Sequence, residues 1–525
     1  MENYTLLVGG KEIDTGNYEY YPYACKAIFD FKAVRTVIKE LKRGSIPEKT
    51  DEYVYARYSV GDENICQDAI KAAYEASKVY RHFSIDKRHK IAVDIHDLLL
   101  RHKKQIIELF IVEGHPLKLA EWEFEGMAKG FSVESLNFFK EEMKRNIGVS
   151  GNEKLYLVRR PDGVVCLSPP KNAPASNSFV AAGALFSGNT IIVKPPFRTP
   201  LATTYVWKNV VDKAARMNGV PPGTVNIIIG NSDSFMDEWL KSRDVNDIIH
   251  FGISDKGIEI GQKIFAAGKK PILELSGNDL LFVWKDADIN QAAKSLMDAF
   301  LGSTQICMVP KNALIHEDIF DCFCDEMAKR AKALKIGLPD DPETCLSPVI
   351  KIPQFFEFLE DAKSKGAVVI CGGHRVNYNG KVDTNGIYLE PTLLKIDDER
   401  KAVDMLCVVE ENFFPLIPLV KITGNSVKKF QGLDKDDVIF SKMACFADCN
   451  AYGLRISAWV KSKKFIDKFA SEMMNSGLLR INSRHVGFSF YIATHGGTKK
   501  SGGPFGEMNY IWAKTSHLQG ISITD

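Results

Sequence analysis

The sequence predicts an α/β protein built on a doubly wound parallel sheet, on three grounds. From about Tyr156, short β-branched runs recur in LYLVRRPDGVVCLSPP, NTIIVKPP, TVNIIIGN, DIIHFGIS and ILELSG, each followed by glycine, proline or small residues and then a helical segment. Strands alternating with helices in this way build parallel sheets, and ligands then sit beyond the carboxyl ends of the strands. A second alternation starts at about Asp279 with NALIHED, a helix over Phe320 to Lys335, AVVICGG, YLEPTLLKI and FPLIPLVKI, which predicts a second α/β domain. Ahead of both, apolar residues recur at helical spacing from Ala69 to Phe139, with a break at Gly114 and His115, giving a helical layer.

At the ends of the chain the pattern is weaker. Residues 1–60 are tyrosine-rich and irregular, with a helix-like piece over Phe29 to Arg43, and are expected to form an amino-terminal arm. The glycine-rich tail LRINSRHVGFSFYIATHGGTKKSGGPFG suits a hairpin or an intersubunit strand. At 525 residues, 45% hydrophobic and 26% charged, the chain has room for two to four domains with cores of their own.

Composition excludes several classes. The 68 basic and 66 acidic residues leave a net charge of +2 with no concentrated field, so nucleic acid is not an expected partner. No stretch approaches the roughly 18 apolar residues of a membrane span. The eleven cysteines are scattered, without a CxxC followed by a second CxxC, so no metal site is expected. Their odd number, and the lack of a leader in MENYTLLVGGKEIDTG, predict a reduced, cytoplasmic protein.

Four local features carry chemistry, each with a plainer alternative. Cys307 follows Gly302, Ser303, Thr304 and Gln305 at a loop or helix start, where exposed backbone N–H groups favour a thiolate; the alternative is a small core residue. Glu274 ends the apolar run ILE, where burial would raise its pKa toward that of a neutral-pH base; the alternative is an exposed strand-end acid. Asn172 sits in the proline-bound loop SPPKNAP, as a fixed amide donor or a turn asparagine. Lys194 ends a strand before two prolines, as a fixed cation for cofactor hydroxyls or a solvated loop lysine.

Taken together, the order and spacing of these segments resemble the aldehyde dehydrogenase superfamily from about Asp68 to Gly506. GVVCLSPPKNAP stands where that family has its strand and PWNFP-like loop, SGNTIIVKPP resembles its GN-[TV]-V-[IV]-KP, ILELSGN its LELGGK and STQIC its GQ-x-C. YLEPTLL, EENFFPL, AYGL and THGGTKKSG resemble further signatures in the same order. The resemblance implies a Rossmann-like cofactor-binding domain (61–144 and 165–278), a catalytic domain (279–482) and β oligomerisation segments (145–164 and 483–525) of a homodimer or homotetramer. It further implies Cys307 as nucleophile, Asn172 as the oxyanion-site amide acting with the Cys307 backbone N–H, and Glu274 as the base for hydrolysis. Lys194 would contact the adenosine ribose, Glu411 the nicotinamide ribose, and Phe413 the nicotinamide face. The implied reaction is NAD(P)-dependent oxidation of an aldehyde to a carboxylic acid through a cysteine thioester.

Three departures qualify the likeness. Lys171 and Ala173 replace aromatics on either side of Asn172, and Ser176 and Asn177 stand where apolar tunnel residues are usual, which points to a more polar or bulkier aldehyde than a short alkanal. The phosphate-side turn reads FGISDKG, with Ser254 still available to meet pyrophosphate. Phe197 and Arg198 follow Lys194 where a ribose-binding glutamate is frequent, which leans toward NADP and leaves NAD open. Transfer of the acyl group to coenzyme A, and a catalytically silent binding protein on the same fold, are the alternatives to hydrolysis.

Overall fold

The computed structural model describes residues 1–425, 432–488, 491–492, 494–504 and 508–524, so Gly506, where the resemblance ends, lies outside the described residues. A seven-stranded sheet runs in the spatial order Lys270–Glu274, Asp247–Phe251, Val164–Ser168, Thr190–Val193, Val225–Ile227, Leu6–Val8, Lys11–Ile13. The first five strands are parallel. Chain order begins at the central Val164–Ser168, moves outward through Thr190–Val193 and Val225–Ile227, then jumps back to Asp247–Phe251 on the other side. That reversal opens a crevice at the carboxyl ends, where Ser168 and His250 face each other in register. The strands read as continuous apolar runs because helices cover both faces; Val164 to Leu167 and Ile191 to Val193 are fully buried.

The helical layer forms as Glu63–Tyr80, Ile85–Arg101, Lys103–Val112, Leu117–Gly130 and Val133–Met143. Asp62, Ser84 and Ser132 accept the N–H groups of Ile65, Lys87 and Ser135, capping three of these helices. Gly114, at φ +100°, breaks the layer where expected, in a conformation only glycine adopts without strain.

The first sixty residues are not an irregular arm. Leu6–Val8 and Lys11–Ile13 extend the large sheet as an antiparallel hairpin, with Leu6 and Leu7 fully buried in its core. Tyr18–Pro22, Val54–Ser59 and Glu2–Tyr4 make a small sheet beside it, and the helix spans Phe31–Leu41. The tyrosines hid this because alternating aromatics on short, half-exposed strands give little apolar contrast.

A second seven-stranded sheet has the order Val368–Cys371, Thr392–Ile396, Leu416–Ile422, Pro310–His316, Asp279–Val283, Arg455–Trp459, Leu478–Ile481, parallel except at its first strand. Leu275 to Asn278 link the two large sheets, so Glu274 closes one and Asp279 opens the other. A third sheet pairs Lys144–Ser150 and Ser516–Thr524 on either side of Glu153–Pro161, joining two segments far apart in sequence. Among the described residues no helix is long and apolar enough to cross a membrane.

Candidate active site

Cys307 is presented by a bent segment. Gly302, Ser303 and Thr304 take φ values of 62°, 59° and 62°, and two non-glycine residues in the left-handed region cost on the order of 1–3 kcal/mol each. Several bonds hold the bend. The Ser303 hydroxyl donates to the Ser347 carbonyl at 2.6 Å and accepts the Ser347 N–H at 2.9 Å. The Gln305 amide donates to the Pro348 carbonyl at 2.8 Å. Lys311, fully buried at the start of strand Pro310–His316, donates from Nζ to the Thr304 and Ile306 carbonyls at 2.8 Å each. Opposite, Gly277 touches the Cys307 backbone: a Cβ there would lie 2.3 Å from the Cys307 carbonyl oxygen.

Carboxylates surround the sulfur. Glu274 is buried at its strand end; Oε2 accepts the Gly496 N–H at 2.6 Å, while Oε1 has no partner. Burial pushes its pKa up to about 8, against the opposing pull of the Gly496 N–H and Arg455. Cys307 is held well above the usual thiol range by burial first, then by Glu274, Glu411 and Asp279, with Lys311 opposing. These surroundings favour the neutral thiol over the thiolate. Glu411 Oε1 accepts the Gly277 N–H at 3.0 Å, and Phe413 lies beside the Lys311 ammonium, 5.3 Å from ring centre to Nζ.

Asn172 reaches the same place from the first sheet. Its Nδ2 donates to the Gln305 carbonyl at 2.8 Å, two residues before Cys307, and the second amide hydrogen stays available. Ser176 and Asn177, read from the sequence as pointing to a more polar or bulkier aldehyde, both line the cavity beside Cys307, with their side-chain oxygens engaged. Ser176 donates to Glu123 Oε2 at 2.7 Å, and Asn177 Oδ1 pairs with His495 Nε2 at 3.1 Å, so both oxygens are spent within the wall. This cavity is lined by Ser176, Asn177, Glu123 and His495 together with a larger apolar set that includes Trp122, Phe131, Phe179 and Trp512, with no lysine or arginine among its described lining residues.

On the crevice side, Lys194 directly follows strand Thr190–Val193 and is 3% exposed, its Nζ donating to Ser232 Oγ at 2.8 Å. Burial, then the nearby Lys171, lowers its pKa to about 8. Arg198 is exposed on the following turn, steadied by the Tyr58 hydroxyl donating to the Phe197 carbonyl at 2.8 Å, and residues 195–200 contain no acid. Ser254 is placed differently from expectation. It is buried and its hydroxyl donates inward to the Lys500 carbonyl at 2.8 Å, so any phosphate contact at this turn must come from backbone N–H groups. A buried cation with one hydroxyl partner, an exposed cation beside it and a crevice at the strand reversal fit a phosphorylated dinucleotide. Among the described residues no cluster of His, Cys, Asp or Glu is arranged to hold a metal ion.

Sequence reasoning passed over Lys311, Gly277 and Arg455. A lysine inside the apolar strand PKNALIH was a readable signal, since a buried ammonium must find acceptors. Arg455, 2% exposed, opens strand Arg455–Trp459, donates to the His485 and Thr494 carbonyls and faces Glu274. Its place depended on chain packing that local pattern does not contain.

A sequence model of the aldehyde dehydrogenase family matches residues 40–519. A D-glyceraldehyde dehydrogenase (NADP(+)) of Thermoplasma acidophilum is 27% identical over 89% of this chain and 90% of its own. The mitochondrial succinate-semialdehyde dehydrogenase of Arabidopsis thaliana is 30% identical over 83% of this chain and 77% of its own. Glyceraldehyde-3-phosphate dehydrogenase from Methanocaldococcus jannaschii, solved as a complex with NADP, matches at a TM-score of 0.75 and 26% identity, covering 90% of this chain and 97% of that one. Motif order, fold and these likenesses agree: the chain belongs to the aldehyde dehydrogenase family and is an NAD(P)-dependent enzyme that oxidises an aldehyde to a carboxylic acid.

Proposed function

We propose that Cys307 is the nucleophile, Asn172 and the Cys307 backbone N–H the oxyanion donors, Glu274 the base, and a bulky apolar aldehyde the substrate. The thiol proton passes to water, and sulfur adds to the carbonyl carbon, moving the π pair onto oxygen. The alkoxide settles against the free Asn172 amide hydrogen. A nicotinamide cofactor, when bound, accepts the hydride that leaves this carbon. Lys194 and Arg198 would hold its adenosine side, Arg198 favouring a 2′-phosphate, and Glu411 and Phe413 its nicotinamide side. Water then attacks the thioester carbonyl, Glu274 takes its proton, the C–S bond breaks and the acid departs.

The observation that carries the assignment is the meeting of Cys307, Glu274, Glu411 and the Asn172 amide from four separate segments of the chain. The unpartnered Glu274 oxygen favours water over coenzyme A as acyl acceptor, because a base is needed for water. The cavity carries the substrate reading: a carboxylate or phosphate on the aldehyde would enter a largely apolar cavity that also holds the Glu123 carboxylate and has no lysine or arginine to meet it, at a cost of several kcal/mol. A panel of aromatic, long-chain, hydroxylated and acidic aldehydes, with NAD or NADP and with or without coenzyme A, tests this by the absorbance of reduced nicotinamide. Higher kcat/KM for the aromatic and long-chain members is expected; preference for succinate semialdehyde overturns the apolar reading, and dependence on coenzyme A overturns hydrolysis.

The long strands Lys144–Ser150 and Ser516–Thr524 have exposed outer edges, which supports pairing with further copies of the chain in a homodimer or homotetramer. Among the described residues no disulfide joins the cysteines, in keeping with a reducing, cytoplasmic setting. The two large sheets support a division into cofactor-binding and catalytic domains near Asp279.

A further inference from the structure

The cavity beside Cys307 has a flat aromatic side and a polar corner. Ile306 and Met308, on either side of Cys307, both line it, so it opens toward the sulfur. Trp122 and Phe488 form the flat side, with ring centres 5.4 Å apart; Gly126 lies against the Phe488 ring, where a Cβ would collide with it. Most polar groups along the wall are spent on protein partners. The Trp122 indole donates to the Val486 carbonyl at 3.3 Å, Ser135 Oγ to the Lys129 carbonyl at 3.2 Å and Ser176 Oγ to Glu123 Oε2 at 2.7 Å. The Trp512 indole N–H has no partner but is sealed inside the wall. Asn177 differs. It is 6% exposed, lies on helix Pro174–Val180, into which the Asn172 loop leads, and lines the cavity. Its Oδ1 is taken by His495 Nε2 at 3.1 Å, whereas its Nδ2 has no hydrogen-bond partner among the described residues, so both amide hydrogens are left to whatever fills the cavity. An amide oxygen only accepts, so His495 Nε2 carries the ring proton and Nδ1 receives the Thr494 hydroxyl at 2.9 Å. Burial, then Arg455, lowers the His495 pKa to about 3, and the ring keeps this one form at neutral pH. The Asn177 amide cannot turn over without losing the partner of its oxygen.

We propose that Asn177 is a specificity-determining residue whose amide NH2 group receives a neutral oxygen acceptor on an aromatic aldehyde, away from the carbonyl, and that His495 is the positioning residue that fixes this amide. This rests on the cavity being the site of a bulky apolar aldehyde. The Asn177 N–H donates to the Ala173 carbonyl at 3.2 Å, so one helical turn, a rise of about 6 Å, separates Asn177 from the residue after Asn172. An oxygen on the far side of an aromatic ring matches that separation better than one on the carbon next to the carbonyl. A planar ring also suits the Trp122 and Phe488 faces. The acceptor is neutral because the Glu123 carboxylate shares the cavity and no lysine or arginine does, among its described lining residues. A substrate with no acceptor would strip water from the Asn177 amide and return nothing, which costs binding. An ether or hydroxyl oxygen replaces that water.

The test compares kcat/KM for meta- and para-methoxybenzaldehyde with that for the matching ethylbenzaldehydes, in which CH2 replaces the ether oxygen at nearly the same shape. Dividing the wild-type methoxy-to-ethyl ratio by that of Asn177→Leu cancels the intrinsic reactivity of each aldehyde. The quotient is expected to be roughly tenfold for one of the two ring positions. His495→Phe should lose the preference, and His495→Gln, whose amide can still donate to Asn177 Oδ1, should keep most of it; this pair decides the matter if Asn177→Leu does not fold, since equal ratios in the two overturn the proposal. A quotient near one at both positions, with aromatic aldehydes still the better substrates, overturns the proposal and leaves the apolar reading standing. A wild-type enzyme that favours hydroxymethyl over ethyl but not methoxy over ethyl presents an acceptor rather than a donor, which overturns it as well. Preference for succinate semialdehyde over all of these overturns the apolar reading, and this inference with it.

Discussion

On the Cys307 side of the cleft, Glu274, Lys311 and Arg455 are buried around a half-buried Cys307 with Glu411 close by, and backbone N–H and carbonyl groups hold the acids and the lysine in place. On the cofactor side, Lys194 meets the Ser232 hydroxyl and Arg198 stands in solvent. The first wall is set before any ligand arrives, with left-handed backbone and a desolvated acid as its cost. The second leaves its positive charges to be completed by phosphate. Changes on the first wall should strike chemistry, and changes on the second should strike binding.

The sharpest break between them comes from Cys307→Ala. It should abolish aldehyde oxidation and leave cofactor affinity unchanged by fluorescence titration, since only the covalent step uses sulfur; turnover near the wild-type rate would erase the distinction. Asn172→Ala should follow, with kcat lower by roughly a hundredfold, or about 3 kcal/mol, and KM little changed.

The preorganised wall should also be a stability liability. Glu274 has a folded pKa of about 8 against an ordinary 4.5, so between these values the folded protein binds the extra proton. Stability from this group is thus fully present below the unfolded value and lost as pH rises through about 8. Glu274→Gln should melt several degrees above wild type at pH 9, from a gain of a few kcal/mol, and close to it at pH 5. Equal melting temperatures at both pH values would show that the carboxylate is solvated.

The smallest effect is expected on the open side. Arg198→Ala should weaken NADP binding by about tenfold and leave NAD nearly untouched, because a guanidinium at a phosphate contributes roughly 1–2 kcal/mol when exposed. Wild-type NADP affinity should also decline as pH rises past about 8, where Lys194 loses its proton.

The contrast explains what was legible in the sequence. Lys194, Asn172, Glu274 and Cys307 each stand at or just beyond a strand end or in a loop next to glycine or proline, where local pattern marks a site, and the alternation of strands and helices marked both large sheets. What holds those residues was not legible. The partners of Lys311 and Arg455 come from loops set by tertiary packing, and Ser254 looked available because nothing local shows that it turns toward Lys500. The early strands escaped notice because short, half-exposed strands carry little periodic signal.

The account stands most directly on Glu274→Gln in a rapid-mixing experiment. If Glu274 takes a proton from the water that cuts the thioester, reduced nicotinamide appears in a burst of about one equivalent per active site, a slow steady phase follows, and mass spectrometry finds the acyl group on Cys307. A steady rate equal to wild type with no acyl adduct would contradict it, leaving the buried carboxylate without a part in hydrolysis.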